Sequence, residues 1–213
     1  MSLKLADASH IDVRRIAVVS AGLSEPSSTR LLADLLGDAT AAGLGDAHVD
    51  VVELRPLAHA VTDALLTGFA AGDLARAIET VTSADAVIAV TPVFSGSYSG
   101  LFKSFFHILE SGALEGTPVL VAATAGTARH SLVLEHALRP LFSYLNAVVV
   151  PTAVFAASED WGASDVTGAL RRRIDRASGE LAALVRARPI AARGDQFARD
   201  IEAMGSFEDL LGG

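Results

Sequence analysis

The sequence predicts an α/β protein, a doubly wound five-stranded parallel sheet of order 2-1-3-4-5 in three α/β/α layers. Three observations predict it. Five short apolar runs rich in β-branched residues recur along the chain. Segments with apolar residues at helical spacing separate them. The runs are near-continuously apolar instead of alternating, as strands buried on both faces must be.

The runs are RIAVVS (15–20), HVDVVEL (48–54), DAVIAV (85–90), PVLVAAT (118–124) and AVVVPTAVF (147–155). Helices are expected over 28–43, 73–84, 99–111 and 130–146, with a fifth over 165–187 closing the fold. Residues 1–13 lack any period and read as a flexible leader, residues 14–190 as one domain, and residues 191–213 as a C-terminal tail. The tail carries Phe197, Ile201, Met204, Phe207 and Leu210 among acidic residues, a pattern open to docking on a partner subunit or to remaining mobile.

Composition narrows the function. Hydrophobic residues make up 51% of 213 against 20% charged, which excludes a disordered chain. The formal charge of −8 excludes a general attraction to nucleic acid or to an anionic membrane. The absence of Cys removes disulfides, thiolate nucleophiles, iron–sulfur clusters and zinc ribbons together. No stretch has the length and apolarity of a signal peptide core or a membrane span, so a cytoplasmic location is expected.

Several signatures fail on inspection. GSYSG (96–100) has Tyr98 where a hydrolase elbow needs Ser. Gly43 and Gly45 open a G-x-G, but His48 occupies the third glycine's place and the segment precedes a strand. Gly100 and Lys103 are wrongly spaced for a P-loop. A phosphorelay receiver needs acidic residues after strand one and Asp ending strand three; Ser20-Ala21 and Thr91 stand there. The histidines form no metal-binding spacing, no metal site is expected, and Arg171-Arg172-Arg173 reads as a solvated helix face.

In such a sheet the ligand crevice lies outside the carboxyl ends of the strands, where the order reverses. The loops after strands one, three and four are therefore the ones to inspect. The first, SAGLSEPSSTR (20–30), carries Ser20, Gly22, Ser24, Ser27, Ser28 and Thr29 and enters a helix at about Ser28. Hydroxyls beside the free N–H groups of a helix N-terminus suit a monoester phosphate, with helix capping by Ser27 or Ser28 as the simpler reading. The second, TPVFSGSYSG (91–100), offers an open Gly/Ser backbone that suits the edge of a flat heteroaromatic ring such as a flavin; Pro there reads as ending the strand and Ser as capping the next helix. The third, ATAGTARH (123–130), supplies small residues that let a ring lie close to the backbone.

The stretches ADAVIAVTPVFSGSYSGLFKSFFHIL and AATAGTARHSLVLEHALRPLFSYLNAVVVP closely resemble the NAD(P)H-dependent FMN reductase family, the flavin-supplying partners of two-component monooxygenases. The pattern is carried by Thr91, Pro92, Val93, Phe94, Tyr98, Ser99, Gly100 and Lys103, and by Gly126, Thr127, His130, Ala137, Leu138 and Pro140. The resemblance spans residues 14–157 and implies a flavodoxin-like, FMN-binding domain. By resemblance, Ser20, Ser27, Ser28 and Thr29, with Gly22, hold the FMN phosphate. Pro92, Val93, Phe94, Ser95, Gly96, Ser97, Tyr98 and Ser99 hold the ring edge, and Thr124, Ala125, Gly126 and Thr127 the remaining face. Phe94, His107 and Ala125 depart from the more usual Tyr, Asp and Gly.

The implied activity is hydride transfer from NAD(P)H to FMN, with free flavin and nicotinamide nucleotide as substrates and a flavin-dependent monooxygenase as the receiver. The chemistry belongs to the cofactor, so no catalytic side chain is expected. The family forms homodimers or homotetramers through the helix after the second loop, and LFKSFFHIL is apolar enough to do this. Two alternatives stand beside this reading: an FMN-bound NAD(P)H reductase of quinones, azo dyes or metal oxyanions, and a non-enzymatic flavodoxin-type electron carrier.

Overall fold

The computed structural model describes residues 13–161 and 168–189. Leader residues 1–12, the tail at 191–213 and the expected start of the last helix at 165–167 lie outside the described residues. The elements are β1 (Arg14–Ser20), α1 (Ser28–Leu44), β2 (Ala47–Glu53), α2 (Ala58–Thr67), α3 (Gly72–Thr82), β3 (Ala86–Phe94), β4 (Ser97–Tyr98), α4 (Gly100–His107), β5 (Pro118–Ala125), α5 (Arg139–Tyr144), β6 (Val148–Val149), β7 (Val154–Ala157) and α6 (Ala169–Ala187). The ladders run β2-β1-β3-β5, all parallel, and β6 and β7 both pair with β5 in the outermost position. The order 2-1-3-4-5 is thus the one observed, with the fifth strand in two pieces.

That split has a local cause. Pro151 sits in the gap between β6 and β7 and has no N–H to give a ladder. Side chains take over the backbone groups instead. Arg139 donates to the carbonyls of Val150 and Pro151, Arg173 donates to that of Ala153, and Glu180 accepts from both N–H and hydroxyl of Thr152.

The strands are apolar throughout because successive residues serve opposite cores. Ala17, Val19, Val87, Ala89, Val119 and Val121 face one helical layer with Phe102, Phe105, Phe106 and Phe142. Ile16, Val18, Ile88, Val90, Leu120 and Ala122 face the other, beneath α1 and α6. α1 can approach closely because it carries Gly37, where an added Cβ would stand 3.2 Å from Val49, and Gly43, where it would meet Ala182 at 3.4 Å.

Three elements depart from the sequence expectations. α2 is an additional helix; only Val61 and Ala64 are buried along it and no side chain caps its start, which leaves a weak amphipathic signal. The helix expected over 130–146 is instead a 3-10 turn at Ala128–His130, a single π-helical turn at Leu134–Leu138 and then α5. Pro140 removes the donor that would continue the α ladder through this stretch. α4 ends at His107, short of 111. Its phenylalanines Phe102, Phe105 and Phe106 are all buried in the chain's own core, where they stack with Tyr98 and Phe142, so they do not themselves offer a subunit contact. Among the described residues, no helix is long and apolar enough to cross a membrane.

Candidate functional site

At the carboxyl ends of β1, β3 and β5 a cleft of about 380 Å³ opens, lined by Leu23, Ser24, Ser28, Thr29, Pro92, Val93, Phe94, Thr124, Ala125, Gly126 and Ser158. Its volume falls within the span of small-molecule sites. The lining comes from all three segments inspected in the sequence, plus the end of β7.

The first segment leaves β1 under tight control. The Ala21 N–H donates to the Val90 carbonyl at 3.0 Å, and the Leu54 N–H to the Ser20 carbonyl at 2.9 Å. Ser20 is therefore 2% exposed and lies outside the cleft lining. Gly22 is needed for close approach: a Cβ there would fall 2.1 Å from Ser27 Oγ. Ser27 is the N-cap of α1, its Oγ accepting the Arg30 N–H at 3.2 Å. The next two N–H groups, of Ser28 and Thr29, have no acceptor among the described residues. Ser28 and Ser24 present exposed hydroxyls beside them, and Thr29 is buried, with Oγ1 2.7 Å from Thr124 Oγ1.

The second segment corrects the expectation of an open loop. β3 runs on through Pro92 to Phe94 and folds back as a two-residue hairpin, with Val93 opposite Tyr98 and Phe94 opposite Ser97. Ser95 and Gly96 both have positive φ, 50° and 80°, as a tight I′ hairpin turn demands. Pro92 does not end the strand; it is the last residue paired with β5, at the position where β3 changes partners and no further N–H is required from it. Thr91 Oγ1 accepts the Ser99 N–H at 3.0 Å and donates to the Pro92 carbonyl at 2.9 Å, so the hairpin's base is tied. Ser99 caps α4, accepting from the Phe102 N–H at 3.1 Å, and is 1% exposed. Pro92, Val93 and Phe94 reach the cleft; Ser95, Gly96 and Ser97 at the turn, Tyr98 against Phe102, and Ser99 do not line it.

The third segment continues β5 to Ala125, so Thr124, Ala125 and Gly126 form the cleft's far wall. Thr127 stands outside the lining and accepts the Arg129 N–H on its Oγ1 at 3.4 Å. The N–H groups of Gly126 and Thr127 have no acceptor among the described residues, and an added Cβ on Gly126 would meet nothing within 4 Å. Ser158 and Leu23 join the wall without having been singled out from the sequence. Ser158 follows β7, which pairs with β5 as far as Ala125 opposite Ala157. Extending the fifth strand past residue 155 to match β5 would have found it.

Among the described residues, no ionisable side chain lines the cleft. Arg30, at the start of α1, is held by Asp34 at 2.8 Å and Glu53 at 2.6 Å, which keep its guanidinium pKa above the ordinary value. Arg55 is held by Glu25 at 2.6 Å. The first segment therefore offers an anion a positive helix end, free N–H groups and hydroxyls, with no cation to neutralise it. The rest of the cleft is lined by apolar Pro92, Val93 and Phe94 and, from the neighbouring strand end, by the small residues Ala125 and Gly126.

The family model described as NADPH-dependent FMN reductase matches residues 14–162. The FMN reductase (NADPH) of Pseudomonas aeruginosa is 39% identical over 150 residues, covering 69% of this chain and 78% of that protein. An oxidoreductase structure from Corynebacterium diphtheriae superposes with a TM-score of 0.80 at 46% identity, covering 83% of this chain and 99% of that one. The apo form of an NADH:FMN oxidoreductase (EMOB) superposes with a TM-score of 0.69 at 29% identity, covering 78% of this chain and 89% of that one. Matched by the family model from the first strand to beyond the fifth, the chain is a member of the NADPH-dependent FMN reductase family.

Proposed function

We propose that this chain is an NAD(P)H-dependent FMN reductase that takes FMN in the cleft at the carboxyl rim and releases reduced flavin to a flavin-dependent monooxygenase. The observation that carries the site assignment is the uncharged anion site at the start of α1, set at one end of an apolar slot. The residues present fit FMN. The free N–H groups of Ser28 and Thr29 with the hydroxyls of Ser24 and Ser28 would hold its phosphate. Pro92, Val93 and Phe94 would lie along the ring on one side. Ala125 and Gly126 would leave room for it on the other, with the N–H groups of Gly126 and Thr127 available to its polar edge.

When bound, FMN supplies the redox chemistry, accepting hydride from the nicotinamide. The chain's part is to orient. The hairpin, tied through Thr91, and the hydroxyl pair between Thr29 and Thr124 keep the walls of the slot in register. Among the described residues only one aromatic side chain, Phe94, lines the cleft, and it is 48% exposed. A ring held there keeps a face open to a second planar ring, which favours a reductase over a carrier that walls in its flavin.

Steady-state oxidation of NADH and NADPH, with riboflavin, FMN or FAD in excess, tests this. Turnover that rises with added FMN and saturates supports the reductase. Oxidation that is independent of added flavin, with FMN retained through purification, indicates a bound-flavin reductase of another acceptor. No oxidation of either nucleotide indicates an electron carrier.

A further inference from the structure

Arg129 sits on the 3-10 turn that directly follows the third wall of the cleft, exposed and with its guanidinium free of any partner among the described residues. We infer that Arg129 reads the phosphate charge of the nicotinamide nucleotide, an inference that rests on the reductase reading above.

The charge balance of the rim calls for such a group. A nicotinamide dinucleotide brings a pyrophosphate, and NADPH a 2′-phosphate as well, while among the described residues no side chain lining the cleft is ionisable. The neutral donors at the start of α1 are matched to a single phosphate, that of FMN. The wider surroundings repel an anion: the chain's formal charge is −8, and Glu25, Asp34 and Glu53 stand close to the first segment. The first segment's arginine cannot help, because Asp34 and Glu53 already hold Arg30. Arg55, after β2, is held by Glu25. Arg129 is the one arginine of the three inspected segments that no carboxylate engages among the described residues.

Its mount is suited to the task. Thr127 Oγ1 accepts the Arg129 N–H at 3.4 Å, which fixes the backbone of the turn. Thr127 is extended and the 3-10 turn begins at Ala128, so Arg129, three residues past Gly126, starts at most about 11 Å along the chain from the cleft's lip. A guanidinium then meets phosphate oxygens through a planar fork, which a lysine matches in charge and not in geometry.

The test compares wild type, Arg129→Ala and Arg129→Lys by initial rates with NADPH and NADH at saturating FMN. FMN affinity is measured separately by flavin fluorescence without nucleotide. Arg129→Ala should raise the nucleotide KM about tenfold or more, with little change in kcat and FMN affinity within about twofold. Arg129→Lys should recover part of the loss. A rise confined to NADPH assigns the 2′-phosphate to Arg129, and an equal rise with NADH assigns the pyrophosphate; either supports the inference. An unchanged KM for both nucleotides overturns it, and so does FMN affinity that falls in step. A wild type that oxidises neither nucleotide refutes the reductase reading itself.

Discussion

The hydroxyls of Thr29, in the first turn of α1, and Thr124, near the end of β5, lie 2.7 Å apart and share a buried hydrogen bond. The two residues are 95 positions apart in sequence, so the bond fastens the first segment of the cleft to the third. Among the described residues neither hydroxyl has another partner, and both residues line the cleft.

Removing one hydroxyl should therefore cost more than half of removing both. Thr29→Val leaves the Thr124 hydroxyl buried without its partner, at about 1–3 kcal/mol. Thr29→Val with Thr124→Val leaves two matched apolar groups. Urea denaturation of the two single variants and the double variant should show the double less destabilised than the sum of the singles, by about 0.5–3 kcal/mol. Additive values would mean that the two hydroxyls act independently.

Ser28→Asp separates folding from binding. The first turn of α1 has no acidic residue, so a carboxylate there meets the positive helix end and should stabilise by about 0.3–1 kcal/mol. The same carboxylate would stand against the FMN phosphate. Denaturation should show stability held or raised, while fluorescence titration shows FMN binding weakened by about tenfold or more, like charges in a shielded site being costly. FMN affinity equal to wild type would remove the first segment from the phosphate site.

Gly22→Ala acts through Ser27. The new methyl would fall 2.1 Å from Ser27 Oγ and 3.2 Å from Thr29 Cβ, so Ser27 must swing away from the Arg30 N–H that it caps. Loss of the cap costs about 1 kcal/mol, read as a lower denaturation midpoint. FMN affinity should fall with it, because Ser28 and Thr29 follow the cap directly. Combining Gly22→Ala with Ser27→Gly, which removes the clashing side chain, should restore part of the affinity; a further loss would place the strain elsewhere.

The parts of this molecule legible in the sequence were those written as continuous patterns. Ile16 to Val19, Val87 to Val90 and Val119 to Ala123 are apolar without interruption because two helical layers cover them, and that alone gives the sheet and its rim. Ser27 and Ser99 were readable as caps from their hydroxyls at helix starts. What stayed hidden depended on pairing. Pro92 looked like a strand end because its lost donor could not be seen to fall where β3 leaves β5. Ser158 became visible only once β7 was set against the far end of β5, and the cleft's dependence on Thr29 meeting Thr124 is a contact between distant residues that no local spacing encodes.

The hairpin turn at Ser95 and Gly96 sets the walls of the cleft from a distance. Gly96 has a φ of 80° and an added Cβ would meet nothing within 4 Å, so Gly96→Val acts by straining the backbone of an exposed turn. A β-branched residue held in the left-handed region should destabilise the turn by about 1–2 kcal/mol. Ser95, at a φ of 50°, already carries a smaller share of that strain, so Ser95→Gly should relieve it. Because Phe94 and Val93 line the cleft and pair with Ser97 and Tyr98, loosening the turn should lower flavin affinity even though neither turn residue lines the cleft. Denaturation and FMN titration of both variants check this: Gly96→Val should fall in both, and Ser95→Gly should hold or gain in both. A Gly96→Val protein that keeps full FMN affinity while losing stability would show that the walls of the slot are set by the ties at Thr91 and Ser99, and owe nothing to the turn.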